Sequence, residues 1–138
     1  SEYFDKLYNH HFSETEINHR QRIVKINNLI TQHEEKLANM LLNFLKTKKN
    51  IRIIGKKNSQ NKNRAPTISF TVHGKSSKNV CDDLVNDNIG IRNGNFYAWR
   101  ILKALNIDQD DGVIRASMVH YNSENEVKSL INSLDKVL

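Results

Sequence analysis

The sequence predicts an α+β fold: a small sheet of about three to four strands, covered on one face by helices and preceded by a long N-terminal helix. Three observations lead to this prediction. Apolar residues recur in steps of three and four near the start of the chain, short apolar or alternating runs follow, and helical runs alternate with most of them. The resulting order, α-β-β-α-β-α-β-α, is typical of one sheet packed against helices.

The long helix is predicted over residues 13–47, after a lead-in segment of residues 1–12. Ser13 and Glu16 have the spacing of a capping box, in which each side chain accepts a hydrogen bond from the other residue's backbone N–H. The apolar stripe consists of Ile17, Ile23, Ile26, Ile30, Leu37, Leu41 and Phe44. Such a helix would be about 50 Å long, so we expect part of it to project, bend or pack on another surface.

The remaining elements fall within residues 51–138, a sheet-and-helix sandwich that forms a single domain together with the long helix, over 13–138. Strands are predicted where short apolar or alternating runs occur, at 51–55, 66–72, 89–94 and 113–119. A polar loop is predicted between the first two strands, at 56–65. Helices are predicted where apolar residues share one side, at 76–88, at 95–105 and from the Ser123–Glu126 capping box to the chain end.

Two arginines fall on the side of the predicted strands that does not face the core. Alternate residues of a strand face opposite sides of a sheet, so Arg115 is separated from Ile114 and Ala116, and we expect Arg92 to join Arg115. Two interpretations remain open from the residues alone. The arginines are a pair of solvated surface residues, or they form an anion site, because a guanidinium can bind a carboxylate or phosphate through two parallel hydrogen bonds.

Charge and composition restrict the function classes. The chain of 138 residues has 21 Lys and Arg and 15 Asp and Glu, a net charge of +6. This charge fits a lysine-rich solvated surface, or a basic module that binds nucleic acid, although no aromatic residues interleave with the lysines. No apolar run approaches the length of a membrane span, and the first residues lack the order of a secretory signal. We therefore expect a cytoplasmic protein.

Neither the histidines nor the cysteine predicts a reactive site. His10 and His11 are adjacent and cannot converge on one ion, and no ligand spacing surrounds His19 and His33, so we expect no metal. Cys81 cannot form an internal disulfide, which favours a reducing compartment. It also falls on the apolar side of its predicted helix, which favours a packing role over a nucleophilic one.

Three segments in order resemble the small C-terminal domain of class V aminotransferases and cysteine desulfurases, which are fold-type I enzymes that use pyridoxal phosphate. The segments are RAPTISF at 64–70, GIRNG at 90–94 and IRASMVHYNSENEV at 114–127. The resemblance implies that the chain is the small domain of a longer enzyme, homodimeric when whole. It also implies that pyridoxal phosphate is bound by the whole enzyme and not by this chain alone.

The resemblance also implies roles for individual residues. Arg115 would bind the α-carboxylate of an amino-acid substrate, and Arg92 would lie at the entrance to the same site. Four further residues are candidates to line that site, although for His120 a plain surface position at the end of a strand is the favoured interpretation. These residues are Asn95, Tyr97, His120 and Asn122.

Two departures from the family pattern limit the expected activity. The Schiff-base lysine and the phosphate cradle of the family lie upstream, in the large domain, so we expect no catalytic or cofactor-binding residue here and no activity of this chain alone. Tyr97 occupies the position of the catalytic cysteine of desulfurases, which favours an aminotransferase or lyase. The alternatives are a stand-alone basic α+β module that binds nucleic acid and a small-molecule-sensing regulatory domain.

Overall fold

A computed structural model of the chain describes residues 2–60 and 63–138. The helices are α1 (Glu2–His11), α2 (His19–Thr47), α3 (Ser77–Val85), α4 (Trp99–Ala104) and α5 (Glu124–Val137). The strands are β1 (Ile51–Ile54), β2 (Thr67–Val72), β3 (Arg92–Gly94) and β4 (Val113–Ser117). The predicted lead-in segment and polar loop include residues 1, 61 and 62, which lie outside the described residues.

The strands form one antiparallel sheet in the order β1-β2-β4-β3. Its register pairs Ile53 with Phe70 and Phe70 with Ile114, so the apolar residues of three strands lie on one face. Buried residues of α2, α3 and α5 pack with that face in a single cluster. Full burial of a side chain such as Phe70 contributes about 1.5–3 kcal/mol, so this cluster is a main source of stability. The predicted α+β fold is confirmed.

The N-terminal region differs from the prediction of one helix over residues 13–47. α2 begins at His19, and its N-cap is Asn18 rather than Ser13: Asn18 Oδ1 accepts a hydrogen bond from Gln21 N, and Gln21 Oε1 accepts one from Asn18 N. The lead-in residues form the separate helix α1, which packs on α2 and buries Tyr8 beneath the Arg22 guanidinium. Ser13–Glu16 and Asn18–Gln21 both have the spacing of a capping box. The turn that lets α1 fold back on α2 makes Asn18–Gln21 the pair that caps α2.

Several boundaries and faces predicted from periodicity differ in the structure. The strand predicted from residue 89 begins at Arg92. The helix predicted over 95–105 is limited to α4, because Phe96 and Tyr97 have φ values of 50° and 58°, which a right-handed helix does not accommodate. The helix predicted over 76–88 ends at Val85, and this apolar residue, expected to share the buried side of the helix, is 65% exposed.

Asp111 connects the turn before β4 to the start of α3. Its carboxylate accepts hydrogen bonds from the backbone N–H of Ser77 at 2.8 and 3.0 Å and from the Ser77 hydroxyl at 3.0 Å. Because Ser77 is buried, water cannot replace the lost acceptor in an Asp111→Ala variant. We expect that variant to lose about 1–3 kcal/mol of unfolding free energy in urea.

The exposed neighbour Asp110 provides the matched control for this experiment. Its side chain forms none of the described hydrogen bonds to Ser77, and Asp110→Ala should change the unfolding free energy by less than about 0.5 kcal/mol. Equal losses in the two variants would contradict the role of Asp111 as the acceptor for α3.

Candidate substrate-binding site

Arg92 and Arg115 lie directly opposite each other on neighbouring strands. Strand β3 pairs Arg92 with Arg115, and strand β2 pairs Ser69 with Arg115 from the other side. Directly opposed residues of an antiparallel pair project from the same face, with Cβ atoms about 4.5–5.5 Å apart. Since Ile114 and Ala116 belong to the core cluster, this register confirms that the two arginines share the face opposite the core.

We call that face of the sheet the arginine face. It carries three guanidinium groups and several hydroxyls, and none of its strand residues is acidic. They are Arg52, Ile54, Thr67, Ser69, Thr71, Arg92, Gly94, Val113, Arg115 and Ser117. An anion that approaches this face therefore meets positive charge without competition from a carboxylate of the same strands.

Neither guanidinium of the opposed pair is neutralised within the part of the chain that the structure describes. Over residues 2–60 and 63–138, the ion pairs that the structure shows join lysines to carboxylates, and neither Arg92 nor Arg115 forms an ion pair or a side-chain hydrogen bond. Arg92 is exposed, and Arg115 is half-buried. Their edge N–H groups are therefore available to a ligand with planar anionic groups.

The guanidinium of Arg115 is stacked on an aromatic ring. Its Cζ atom lies 3.8 Å from the centroid of the Phe96 ring. A cation over an aromatic face is attracted by the ring's quadrupole, and the planar guanidinium keeps its edge donors free in this arrangement. Phe96 was not predictable as a site residue, since its only local signal in the sequence is its place two residues after Gly94.

An irregular turn between β3 and α4 places Phe96 over Arg115. Asn95 Oδ1 accepts a hydrogen bond from Tyr97 N at 3.0 Å, and the Asn95 carbonyl accepts one from Ala98 N at 2.8 Å. These bonds hold Phe96 and Tyr97 at positive φ, a region that bulky residues rarely adopt. Asn95, predicted to line the site, thus also fixes the turn beside it.

The other candidate lining residues lie in different surroundings. Tyr97 is 99% exposed. Nε2 of His120 is hydrogen-bonded to the hydroxyl of Tyr3 at 2.6 Å, and the Asn122 carbonyl is hydrogen-bonded to Nε2 of His33 at 2.7 Å. Tyr3 and His33 belong to α1 and α2, on the helical side of the sheet, so these bonds do not bring His120 or Asn122 to the arginine pair. Their contact with a substrate stays a prediction.

Cys81 is buried on α3, in agreement with a packing role. Burial raises the pKa of its thiol to about 11, and the charges of Asp82 and Asp111 add to that increase. The reactive species of a cysteine is the thiolate, so this environment suppresses nucleophilic chemistry near neutral pH.

We expect slow alkylation of Cys81 in the folded chain. At pH 8 a thiol with a pKa of about 11 is on the order of 0.1% thiolate, whereas an unperturbed thiol is on the order of 10% or more. Iodoacetamide should therefore label the folded chain about a hundredfold more slowly than the chain in urea. The folded rate should increase as the pH approaches 11, and comparable rates at pH 8 would contradict the packing role.

A cavity of about 510 Å³ lies apart from the arginine pair, between residues 87–91, the end of β4 and the start of α5. Its charged lining groups are the carboxylates of Asp87 and Glu126, and hydrogen bonds lower the pKa of both, for Asp87 chiefly from Lys136 and for Glu126 from Ser123. None of the residues that line the cavity is cationic, so it offers a carboxylate ligand no charge-assisted hydrogen bond and is distinct from the candidate site.

Two findings concern other kinds of site. In the described ranges, no group of three or more His, Cys, Asp or Glu side chains is arranged to hold a metal ion. None of the described helices is both long enough and apolar enough to cross a membrane.

Comparison with known protein families identifies the family of this chain. The model of the family described as "Aminotransferase class-V" matches residues 18–130. The chain belongs to the class V aminotransferase family. The resemblance seen in the sequence motifs is therefore confirmed, and this membership gives no support to the nucleic-acid-binding alternative.

Curated relatives of this class V chain are fungal as well as bacterial. The aminotransferase-like protein FGM3 of Gibberella zeae is 39% identical over 110 residues, which cover 79% of this chain and 27% of that protein. The cysteine desulfurase-like protein ustD of Aspergillus flavus is 32% identical over 115 residues, covering 79% of this chain and 26% of that protein. The chain thus spans about a quarter of the length of these relatives.

Solved structures share the fold of this class V chain. The apo cysteine desulfurase of Thermococcus onnurineus NA1 matches with a TM-score of 0.70 and 28% identity, over 84% of this chain and 28% of that one. A NifS-like protein from Rickettsia africae matches with a TM-score of 0.66 and 21% identity, over 85% of this chain and 31% of that one, and shows the fold alone.

Members of this family use pyridoxal phosphate, but the arginine face does not fit that cofactor by itself. The cofactor needs a lysine amine for its Schiff base, and the strand residues of the arginine face include no lysine. The face fits the carboxylate of a ligand instead. The chemistry open to these residues is therefore binding and orientation.

Proposed function

We propose that this chain is the C-terminal small domain of a pyridoxal-phosphate-dependent, class V aminotransferase-like enzyme that acts on an amino acid. In this proposal the chain contributes Arg115 as the group that binds the α-carboxylate of the substrate. One observation carries the proposal: in a chain of this family, the Arg115 guanidinium has no ion-pair partner among the described residues and lies on a face whose strand residues include no carboxylate.

The chemistry of the guanidinium supports this role. Arg115 can donate two parallel hydrogen bonds to one carboxylate, an arrangement that fixes the orientation of the substrate as well as its position. Arg92, directly across the strand pair, would add positive charge at the entrance to the site. We expect both residues to contribute binding energy, because a guanidinium offers five hydrogen-bond donors and no acceptor.

The share of each relative that this chain covers supports its assignment to a longer enzyme. About three quarters of FGM3 and of ustD lie outside the matched region. In our proposal the corresponding part of this enzyme supplies the Schiff-base lysine and the phosphate cradle, and the small domain alone is inactive. We further propose a cytoplasmic homodimer for the whole enzyme.

The identity of one residue supports a reaction other than cysteine desulfuration. Tyr97 stands where the resemblance places the catalytic cysteine of desulfurases, and the chain's single cysteine is buried on α3. A persulfide needs an accessible thiolate, and the raised pKa of Cys81 opposes its formation. We therefore propose an aminotransferase or lyase reaction.

The test compares amino acids with the matching decarboxylated amines. The enzyme that contains this chain is mixed with each compound while the visible absorbance of the bound cofactor is recorded. We expect an absorbance change that saturates with an amino acid and that needs far higher concentrations of the amine lacking the carboxylate. An enzyme without cofactor absorbance, or one that responds equally to both compounds, would contradict the proposal.

A further inference from the structure

We infer that Phe96 is a positioning residue for Arg115: its ring holds the guanidinium so that the edge N–H donors are presented to an incoming carboxylate. The inference rests on the proposed role of Arg115. The distance of 3.8 Å between Cζ and the ring centroid is a stacking distance, and among the described residues Phe96 is the aromatic side chain that contacts this guanidinium.

Stacking lowers the conformational entropy that the arginine side chain loses when it binds a ligand. Arginine has a long side chain whose rotamer freedom must be given up to form a bidentate contact. A guanidinium already held against a ring gives up part of that freedom before the ligand arrives, which strengthens binding without any new contact to the ligand. Phe96 would therefore act through Arg115 and need not touch the substrate.

The backbone of the turn supports this role. Phe96 and Tyr97 are consecutive aromatic residues at positive φ, and such conformations persist only where the surrounding structure imposes them. Tyr97 is almost fully exposed, so burial of its ring does not account for the turn. The turn instead places the Phe96 ring against the Arg115 guanidinium.

Electrostatics gives a second reason for a ring at this position. Arg92 and Arg115 are opposed on adjacent strands, and like charges directly across a strand pair repel. The negative face of the Phe96 ring attracts the Arg115 cation and offsets part of that repulsion. Without the ring, we expect the Arg115 side chain to turn away from Arg92 and sample several orientations.

The first experiment detects the stacking itself by NMR of the chain. Protons of an arginine lying over an aromatic face shift upfield, and the Arg115 Cδ and Nε protons are assigned by comparison with an Arg115→Lys variant. We expect upfield shifts in the wild-type chain and in Phe96→Tyr, and their loss in Phe96→Leu. Replacing the exposed Tyr121 with leucine is the control and should leave the shifts unchanged. Absence of an upfield shift in the wild-type chain would overturn the inference.

The second experiment measures carboxylate binding with acetate as the probe, followed at the backbone N–H resonances of residues 114–116, which the wild-type chain and every variant retain. We expect Phe96→Leu to bind acetate about threefold to tenfold more weakly, and Phe96→Tyr to restore wild-type affinity. If Phe96→Leu binds acetate as the wild type does, while Arg115→Lys binds it weakly, the positioning inference is wrong and the proposed function stands. If Arg115→Lys binds acetate as tightly as the wild type, the proposed role of Arg115 is wrong. Should Phe96→Leu not fold, the wild-type shifts of the first experiment decide alone.

Discussion

The Arg115→Ala variant of the enzyme is expected to lose about a hundredfold or more in kcat/KM for its amino-acid substrate. Each hydrogen bond to a charged group contributes about 1.5–3 kcal/mol, and a bidentate contact provides two of them. Arg115→Lys should recover only part of the loss, because an ammonium group cannot reproduce the planar pair of donors. Steady-state kinetics with the wild-type enzyme and both variants provide the measurement.

Arg52 is the matched control for the Arg115 experiment. It lies on the arginine face but on β1, where it pairs with Thr71 rather than with Arg92 or Arg115. Arg52→Ala removes the same charge from the same face, so we expect it to change kcat/KM by less than about threefold, as for a screened charge with no direct contact. Equal effects of the two substitutions would show that net charge, and not the Arg115 position, determines binding.

The Gly112→Ala variant is expected to show the largest loss of stability. Gly112 has a φ of 71°, and a Cβ atom there would overlap the backbone of Gly94 and Asn95 at the isolated bridge between the two glycines. A left-handed conformation costs a residue with a Cβ about 1–2 kcal/mol, and the steric overlap adds about 1–3 kcal/mol. We expect the unfolding free energy in urea to fall by about 2–5 kcal/mol.

The Gly74→Ala variant separates the two causes of that loss, the left-handed backbone conformation and the steric overlap. Its φ is 81°, but a Cβ added there would meet nothing within 4 Å. Gly74→Ala should therefore lose only about 1–2 kcal/mol. Similar losses at the two positions would contradict a steric origin at Gly112. Because the overlap falls where the turn to Phe96 begins, Gly112→Ala should also remove the upfield shifts of Arg115.

The arrangement of the sheet was largely predictable from alternation. Residues 67–72 and 114–117 alternate apolar with polar side chains, and a period of two assigns each residue to a face without knowledge of its partners. Arg115 was therefore separated from Ile114 and Ala116 by its position alone. The Ser123–Glu126 capping box was predictable for a similar reason, because both of its partners lie within one helical turn.

The start of the long helix was not predictable in the same way, whereas its predicted end at residue 47 is confirmed. Ser13–Glu16 and Asn18–Gln21 both have the local spacing of a capping box, so the sequence offers two starting points. The choice depends on Tyr8, which is buried only when α1 folds back on α2. That contact is between two helices, and the repeat of apolar residues along either helix does not predict a contact between them.

By itself, the sequence determined which side chains lie on each face of the sheet, the family to which the motifs belong and the arginine on which the proposed function rests. Only the tertiary structure decided that Arg92 is directly opposite Arg115 and that Phe96 covers its guanidinium. Residues 95–98 follow a helical pattern in the sequence, but the close approach of Gly112 to Gly94 and the Asn95 hydrogen bonds impose positive φ on Phe96. Local propensity is a weak preference, and contacts between segments distant in sequence outweigh it.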